Sequence, residues 1–107
     1  MSIEFVAKGS PRDLSQAIEE LARGQGHVSA IVVPWESSAA RLSMSVTSVR
    51  KDGWAIEHTN LGTITLTDLG NATSVAISGH EPARAENPQL ATLFDRFAQE
   101  LQRRFEA

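Results

Sequence analysis

Leu90, Leu93, Phe94, Phe97, Ala98, Leu101 and Phe105 recur at three- and four-residue intervals near the C-terminus, the spacing that places side chains on one helical face. Asn87-Pro88 stands in front of them, a side-chain cap followed by the residue best tolerated in a first helical turn. The spacing predicts a helix over 88–105, with Arg96, Glu100 and Arg104 forming i,i+4 pairs on its other side. Three of the four phenylalanines lie on this stripe. A stripe of this kind is stable only against an apolar surface of comparable length, which another layer of the chain must supply.

Alternating segments supply it. Ile3, Phe5 and Ala7 alternate with Glu4, Val6 and Lys8, the period of a half-buried strand. Ser10-Pro11-Arg12-Asp13 then reads as a helix start, and Leu14, Ala17, Ile18, Leu21 and Ala22 fall on one face of a helix over Pro11 to Arg23, stopped by Gly24. Val28 to Trp35 is apolar on both parities, as in a strand covered on two sides or one carrying an association surface, and Pro34 restricts it to an edge or a bulge. Leu42, Met44 and Val46 alternate with Arg41, Ser43, Ser45 and Thr47. Lys51-Asp52-Gly53 is a hairpin signal, after which Trp54, Ile56 and His58 share a parity. Asn60-Leu61-Gly62 marks a turn or bulge before the alternation Thr63 to Thr67. Asp68-Leu69-Gly70-Asn71 is a further turn before Val75 and Ile77, and His80 to Glu86 reads as a loop. Short turns between consecutive strands impose antiparallel pairing, because parallel neighbours need crossovers of a dozen or more residues. The expected architecture is α+β: a single domain over 1–107 in which a curved, mostly antiparallel sheet of five or six strands, in the order β-α-β-β-β-β-β-α, packs on the long C-terminal helix.

Several functions are disfavoured at this level. The chain has no cysteine, which removes disulfides, thiolate nucleophiles and Cys-ligated metals. Ten Lys and Arg against thirteen Asp and Glu give a net charge of −3, so a phosphate backbone is repelled on average and nucleic acid is not an expected partner. The longest apolar run, Ala30 to Trp35, is too short to span a bilayer. Met1-Ser2-Ile3-Glu4-Phe5 lacks the basic start and apolar stretch of a secretory signal, so the expectation is a soluble, cytoplasmic protein. His27, His58 and His80 have no metal-ligand spacing, no serine sits in a nucleophile elbow, and the glycines form no phosphate-cradling loop. No cofactor and no catalytic residue are expected.

The order strand, helix, antiparallel meander, long C-terminal helix resembles the START-like, or helix-grip, superfamily, which includes polyketide cyclases and pollen-allergen-type ligand binders. The run Leu61-Gly-Thr-Ile-Thr-Leu-Thr-Asp-Leu-Gly-Asn-Ala-Thr-Ser-Val75 is similar to its late hairpin, and Leu90 to Phe105 to its closing helix. The chain departs from that pattern in having one N-terminal helix and a shortened meander. The resemblance implies a curved sheet wrapped on the last helix, with an apolar cavity between them. It also implies, as one alternative, an enzyme of cyclase or dehydratase type with His58 as base.

The expected function is non-catalytic binding of a small apolar or amphipathic ligand between the sheet and the C-terminal helix. Trp35, Met44, Trp54, Ile56, His58, Phe94 and Phe97 are its candidate lining. For Trp35, Trp54 and Met44 the competing reading is ordinary core, and for His58 a hydrogen-bonded residue at a strand end. The alternative function is a protein-interaction subunit or homodimer that uses the two-sided apolar strand Val28 to Val33 and has no ligand pocket.

Overall fold

Ser10 opens the first helix as its sequence foretells: its hydroxyl accepts from the Asp13 amide at 3.2 Å, and Pro11 occupies the first turn. This computed structural model describes residues 2–107. The chain runs β1 (Ser2–Lys8), α1 (Pro11–Gln25), β2 (Val28–Val32), a 3₁₀ turn (Pro34–Glu36), β3 (Arg41–Asp52), β4 (Ala55–Asp68), β5 (Ala72–Gly79), α2 (Glu81–Glu86) and α3 (Pro88–Phe105). The α1 helix continues past Gly24 and ends at Gly26, whose φ of 81° is the left-handed conformation that glycine adopts freely.

The five strands form one antiparallel curved open sheet in the order β1-β5-β4-β3-β2. The first strand lies beside the last, and α1 carries the chain from one edge of the sheet to the other. Both long helices lie on the same face. Leu14, Ile18 and Ala22 of α1 and Phe94, Phe97, Ala98 and Leu101 of α3 share one core with Phe5, Met44, Val46, Ile64, Leu66, Val75 and Ile77 of the sheet. The opposite face has no helix over it and carries short polar side chains, among them Ser43, Ser45, Thr65 and Ser74.

One register feature shapes the rest. Val46 faces Gly62, but Thr47 faces Asn60, so Leu61 is an extra residue on β4. This is a β-bulge, with two residues of one strand opposing one of the other. The Asn60 carboxamide accepts from the Gly62 amide at 3.1 Å across it. The segments 54–59 and 63–67, which read as two strands, are therefore one continuous strand, and the sheet has five strands, the lower of the two numbers expected. Gly62 has a further role, because Phe94 of α3 packs directly on it. A methyl group at this position would lie 2.6 Å from the Phe94 Cζ and closer still to the Ser78 carbonyl oxygen.

Beyond the bulge the β3–β4 hairpin leaves the sheet. The pairing of β2 with β3 stops at Ser48, and that of β5 with β4 begins at Gly62. Residues 50–57 consequently pair only with one another, as a ribbon that lengthens the molecule to 45 Å against 24 and 23 Å in the other directions. Gly53, with φ of 59°, and Trp54 form its two-residue turn. The stretch read as a loop before the last helix contains α2, which is tied to α3 by Arg84 and Asp95 at 2.6 Å. Asn87 caps α3 by accepting from the Gln89 amide at 3.0 Å and the Leu90 amide at 3.4 Å. On the outer side of α3, Glu100 pairs with Arg103 at 2.6 Å and reaches Arg104 at 3.9 Å, while the expected partner Arg96 makes no ion pair among the described residues.

Candidate functional site

The candidate ligand-lining residues divide into two groups. Met44, Phe94 and Phe97 meet beneath the helices, fully enclosed by Ile64, Leu66, Ala98 and Leu101. Trp35, Trp54, Ile56 and His58 lie at the surface, with Trp35 85% exposed and Trp54 wholly exposed at the hairpin tip. The two groups do not share a wall. Two features separate them: the ribbon 53–58 stands clear of the helices and is exposed on both of its faces, and the parity of β4 is reversed by the extra Leu61. Counting through it, Asn60, His58 and Ile56 fall on the opposite face of the strand. Trp35 is lost to the interior for another reason, since Pro34 ends β2 and folds the chain into the 3₁₀ turn.

Grooves among the described residues are lined by other side chains. One, of about 540 Å³, lies between the start of α1 and the ends of β2 and β3. Pro11, Val32 and Leu42 form its floor, and Arg12, Gln16 and Asp68 its rim. A second, of about 590 Å³, sits at the root of the β3–β4 ribbon among Gly26, His27, Val49, Arg50, Leu90 and Leu93. A third, of about 280 Å³, follows the flank of α1 along β2 from Val28 to Ile31.

Among the described residues, no three His, Asp or Glu side chains converge on a point that could hold a metal ion. The exposed His58 stands on the ribbon opposite Val49. Every buried side-chain nitrogen or oxygen among the described residues has a hydrogen-bond partner, as when the Thr73 hydroxyl donates to the Gly9 carbonyl at 2.7 Å. Among the described residues, no helix is long and apolar enough to cross a membrane.

The two edges of the sheet differ. The β1 edge carries Glu4 and Lys8, and the C-terminal residues cover part of it: Glu106 bridges Ala7, and the Ala107 amide donates to the Val6 carbonyl at 2.8 Å. The β2 edge, Val-Ser-Ala-Ile-Val, carries no charge, proline or bulge, the devices that normally keep an edge from pairing. The amide of Val33 donates to the Ser43 carbonyl at 2.8 Å and that of Val49 to the His27 carbonyl at 3.1 Å, so the odd-numbered residues turn their backbone groups toward β3. By the alternation of an antiparallel strand, Val28, Ala30 and Val32 turn theirs outward. Ile31 is 56% exposed on this strand. The apolar run Val28 to Val33 had marked this segment in the sequence, but its place at an edge is a matter of topology.

Comparison with protein-family models, with curated proteins and with solved structures finds no match to this chain.

Proposed function

We propose that this chain is a non-catalytic protein-interaction module that works by adding a strand to its open β2 edge. The observation that carries this reading is the pairing-competent, uncharged edge of Val28–Val32, beside a core with its interior filled by its own side chains. Strand addition supplies affinity through main-chain hydrogen bonds and specificity through alternate side chains. A synthetic peptide with the sequence of residues 28–33 tests it. In excess over dilute protein, the peptide should slow hydrogen exchange of the Val28, Ala30 and Val32 amides and leave the ribbon amides at 55–58 unchanged. Ile31→Lys should abolish the effect. Unchanged exchange at all three amides at saturating peptide defeats the proposal.

A second reading keeps a ligand but moves it out of the interior. The groove of about 540 Å³ beside α1 has the size of a site for a small amphipathic molecule, with an apolar floor and charged groups from Arg12, Glu19 and Asp68 around it. Saturable binding of an amphipathic fluorescent probe, lost in Leu42→Arg, would favour it. The helix-grip relationship belongs with this second reading and is supported by a curved antiparallel sheet that holds the C-terminal helix on one face.

A further inference from the structure

We infer that the strand added to the β2 edge is the β2 of a second copy of this chain, paired antiparallel about a two-fold axis through Ala30. This inference rests on the edge reading above and names its partner. Three features of the strand and its ends point to a copy of itself.

The first is hydrogen-bond register. With Ala30 opposite Ala30 and Val28 opposite Val32, the residues whose backbone groups face outward are those that meet, and each pair exchanges both of its bonds. No outward group of the strand is left over. On the face without helices, Ile31 then lies opposite Ser29 of the second copy, which reduces its exposure.

The second is complementarity between the two ends of β2. Trp35 and Glu36 project at the C-terminal end, both exposed. The groove of about 590 Å³ lies at the N-terminal end, with apolar walls at Val49, Leu90 and Leu93 and with the cation Arg50 on its rim. In the Ala30-centred register Val33 lies opposite His27, and the chain beyond it arrives at Gly26, the lip of that groove. Antiparallel pairing therefore brings the Trp35 of each copy to the groove of the other, and Glu36 to the side of Arg50. Tryptophan is among the residues enriched at interface hot spots, and these anchors are delivered twice by one symmetry operation.

The third is closure. A two-fold contact uses the same edge on both copies, leaving only the two β1 edges at the ends of the joined sheet. Those carry Glu4 and Lys8 and are partly covered, at Val6 and Ala7, by residues 106–107. Growth stops at two chains, whereas a chain with two open edges would form fibres.

Sedimentation velocity on the full chain from micromolar to near-millimolar concentration tests the inference, together with hydrogen exchange at matched concentrations. The expected result is a monomer–dimer equilibrium in which the Val28, Ala30 and Val32 amides become protected as dimer forms. Trp35→Ala and Ile31→Lys should each weaken dimerisation at least about tenfold, as loss of an interface anchor does. Val6→Lys on the covered β1 edge should not. Glu36→Arg and Arg50→Glu should each weaken the dimer, and the double variant should recover most of the loss. A dimer whose β2 amides stay unprotected, or a double reversal no better than the singles, overturns the inference. So does a chain that stays monomeric throughout. If such a monomer still shows amide protection by the strand peptide, the edge reading stands and only the second copy is wrong. If it does not, both fall.

Discussion

Replacing Gly62 by alanine adds a single methyl group where the structure has no room for it. The new Cβ would lie 2.6 and 2.9 Å from two ring carbons of Phe94 and nearer still to the Ser78 carbonyl oxygen. Unstrained carbon–carbon contacts fall at about 3.5–4.0 Å, so the ring must retreat by roughly 1 Å. Phe94 is almost wholly buried at the centre of the α3 stripe, and its retreat moves the helix or drives the ring into the surrounding core. Overpacking of this kind costs about 1–3 kcal/mol, and the carbonyl contact places Gly62 in the upper part of that range. Alanine also restricts the unfolded chain, which returns about 0.4–1 kcal/mol. The net expectation is a loss of about 2 kcal/mol, or a melting temperature lower by about 8–16 °C for a domain of this size. Urea unfolding followed by circular dichroism reads it directly. Combining Gly62→Ala with Phe94→Leu, which removes the offending ring carbons, should show a favourable coupling of about 1 kcal/mol. A loss below about 0.5 kcal/mol for Gly62→Ala, or strict additivity in the double variant, would refute the packing of Phe94 on Gly62.

Phe97→Ala should cost about 3–5 kcal/mol as a cavity in the same layer, and cutting the chain after Pro88 should leave a product with no cooperative melt. Asn87→Ala removes the acceptor for the Gln89 and Leu90 amides and should lower stability by about 0.5–2 kcal/mol in the same urea assay, with Asn87→Asp nearly neutral. The Arg103 guanidinium, through its hydrogen bond and then its charge, holds the Glu100 carboxyl below its ordinary value. The stability this contributes is fully present above the ordinary glutamate value, about 4.3, and is lost as pH falls through the lower folded-state value. Carboxyl-carbon NMR titration should show the Glu100 midpoint rise toward the ordinary value in Arg103→Ala, and an unmoved midpoint would contradict the assignment.

The C-terminal helix was legible in the sequence because its stripe is long and its start is marked twice, by the Asn87 cap and by Pro88. The α+β class, the antiparallel meander and the capped start at Ser10-Pro11 were legible for similar reasons, each resting on a local signal that tertiary contacts reinforce. The bulge was not, since Asn60-Leu61-Gly62 has the composition of a turn, and only the pairing of Asn60 with Thr47 decides the matter. That one residue reversed the parity of Ile56 and His58, and the ribbon beyond it, exposed on both faces, carried them and Trp54 to the outside. The α2 helix was also hidden: six residues with Pro82 in their first turn carry too little periodicity to separate from a loop, and the Arg84–Asp95 contact that holds them is not local. The edge position of β2 depends on which strands meet across the sheet, a property that alternation within one strand does not encode.

The placement of β1 beside β5 has a consequence for how the chain reaches this structure. Phe5 pairs with Val75 and Lys8 with Ala72, so the first strand finds its partner only across most of the polypeptide, whereas β3, β4 and β5 join through short turns. Loop-closure entropy favours the near contacts first. The expected order is a nucleus at the β3–β4–β5 meander, with β1 and α3 docking late. Conservative truncations such as Ile64→Val and Leu66→Ala should slow folding, while Phe5→Leu and Leu101→Ala should chiefly speed unfolding. Refolding and unfolding rates across denaturant would report it, and a folding rate as sensitive to Phe5 as to Leu66 would reverse the order. A nascent chain on this route leaves β1 unpaired until β5 (Ala72–Gly79) has been made, and over that interval the strand is open to misassociation.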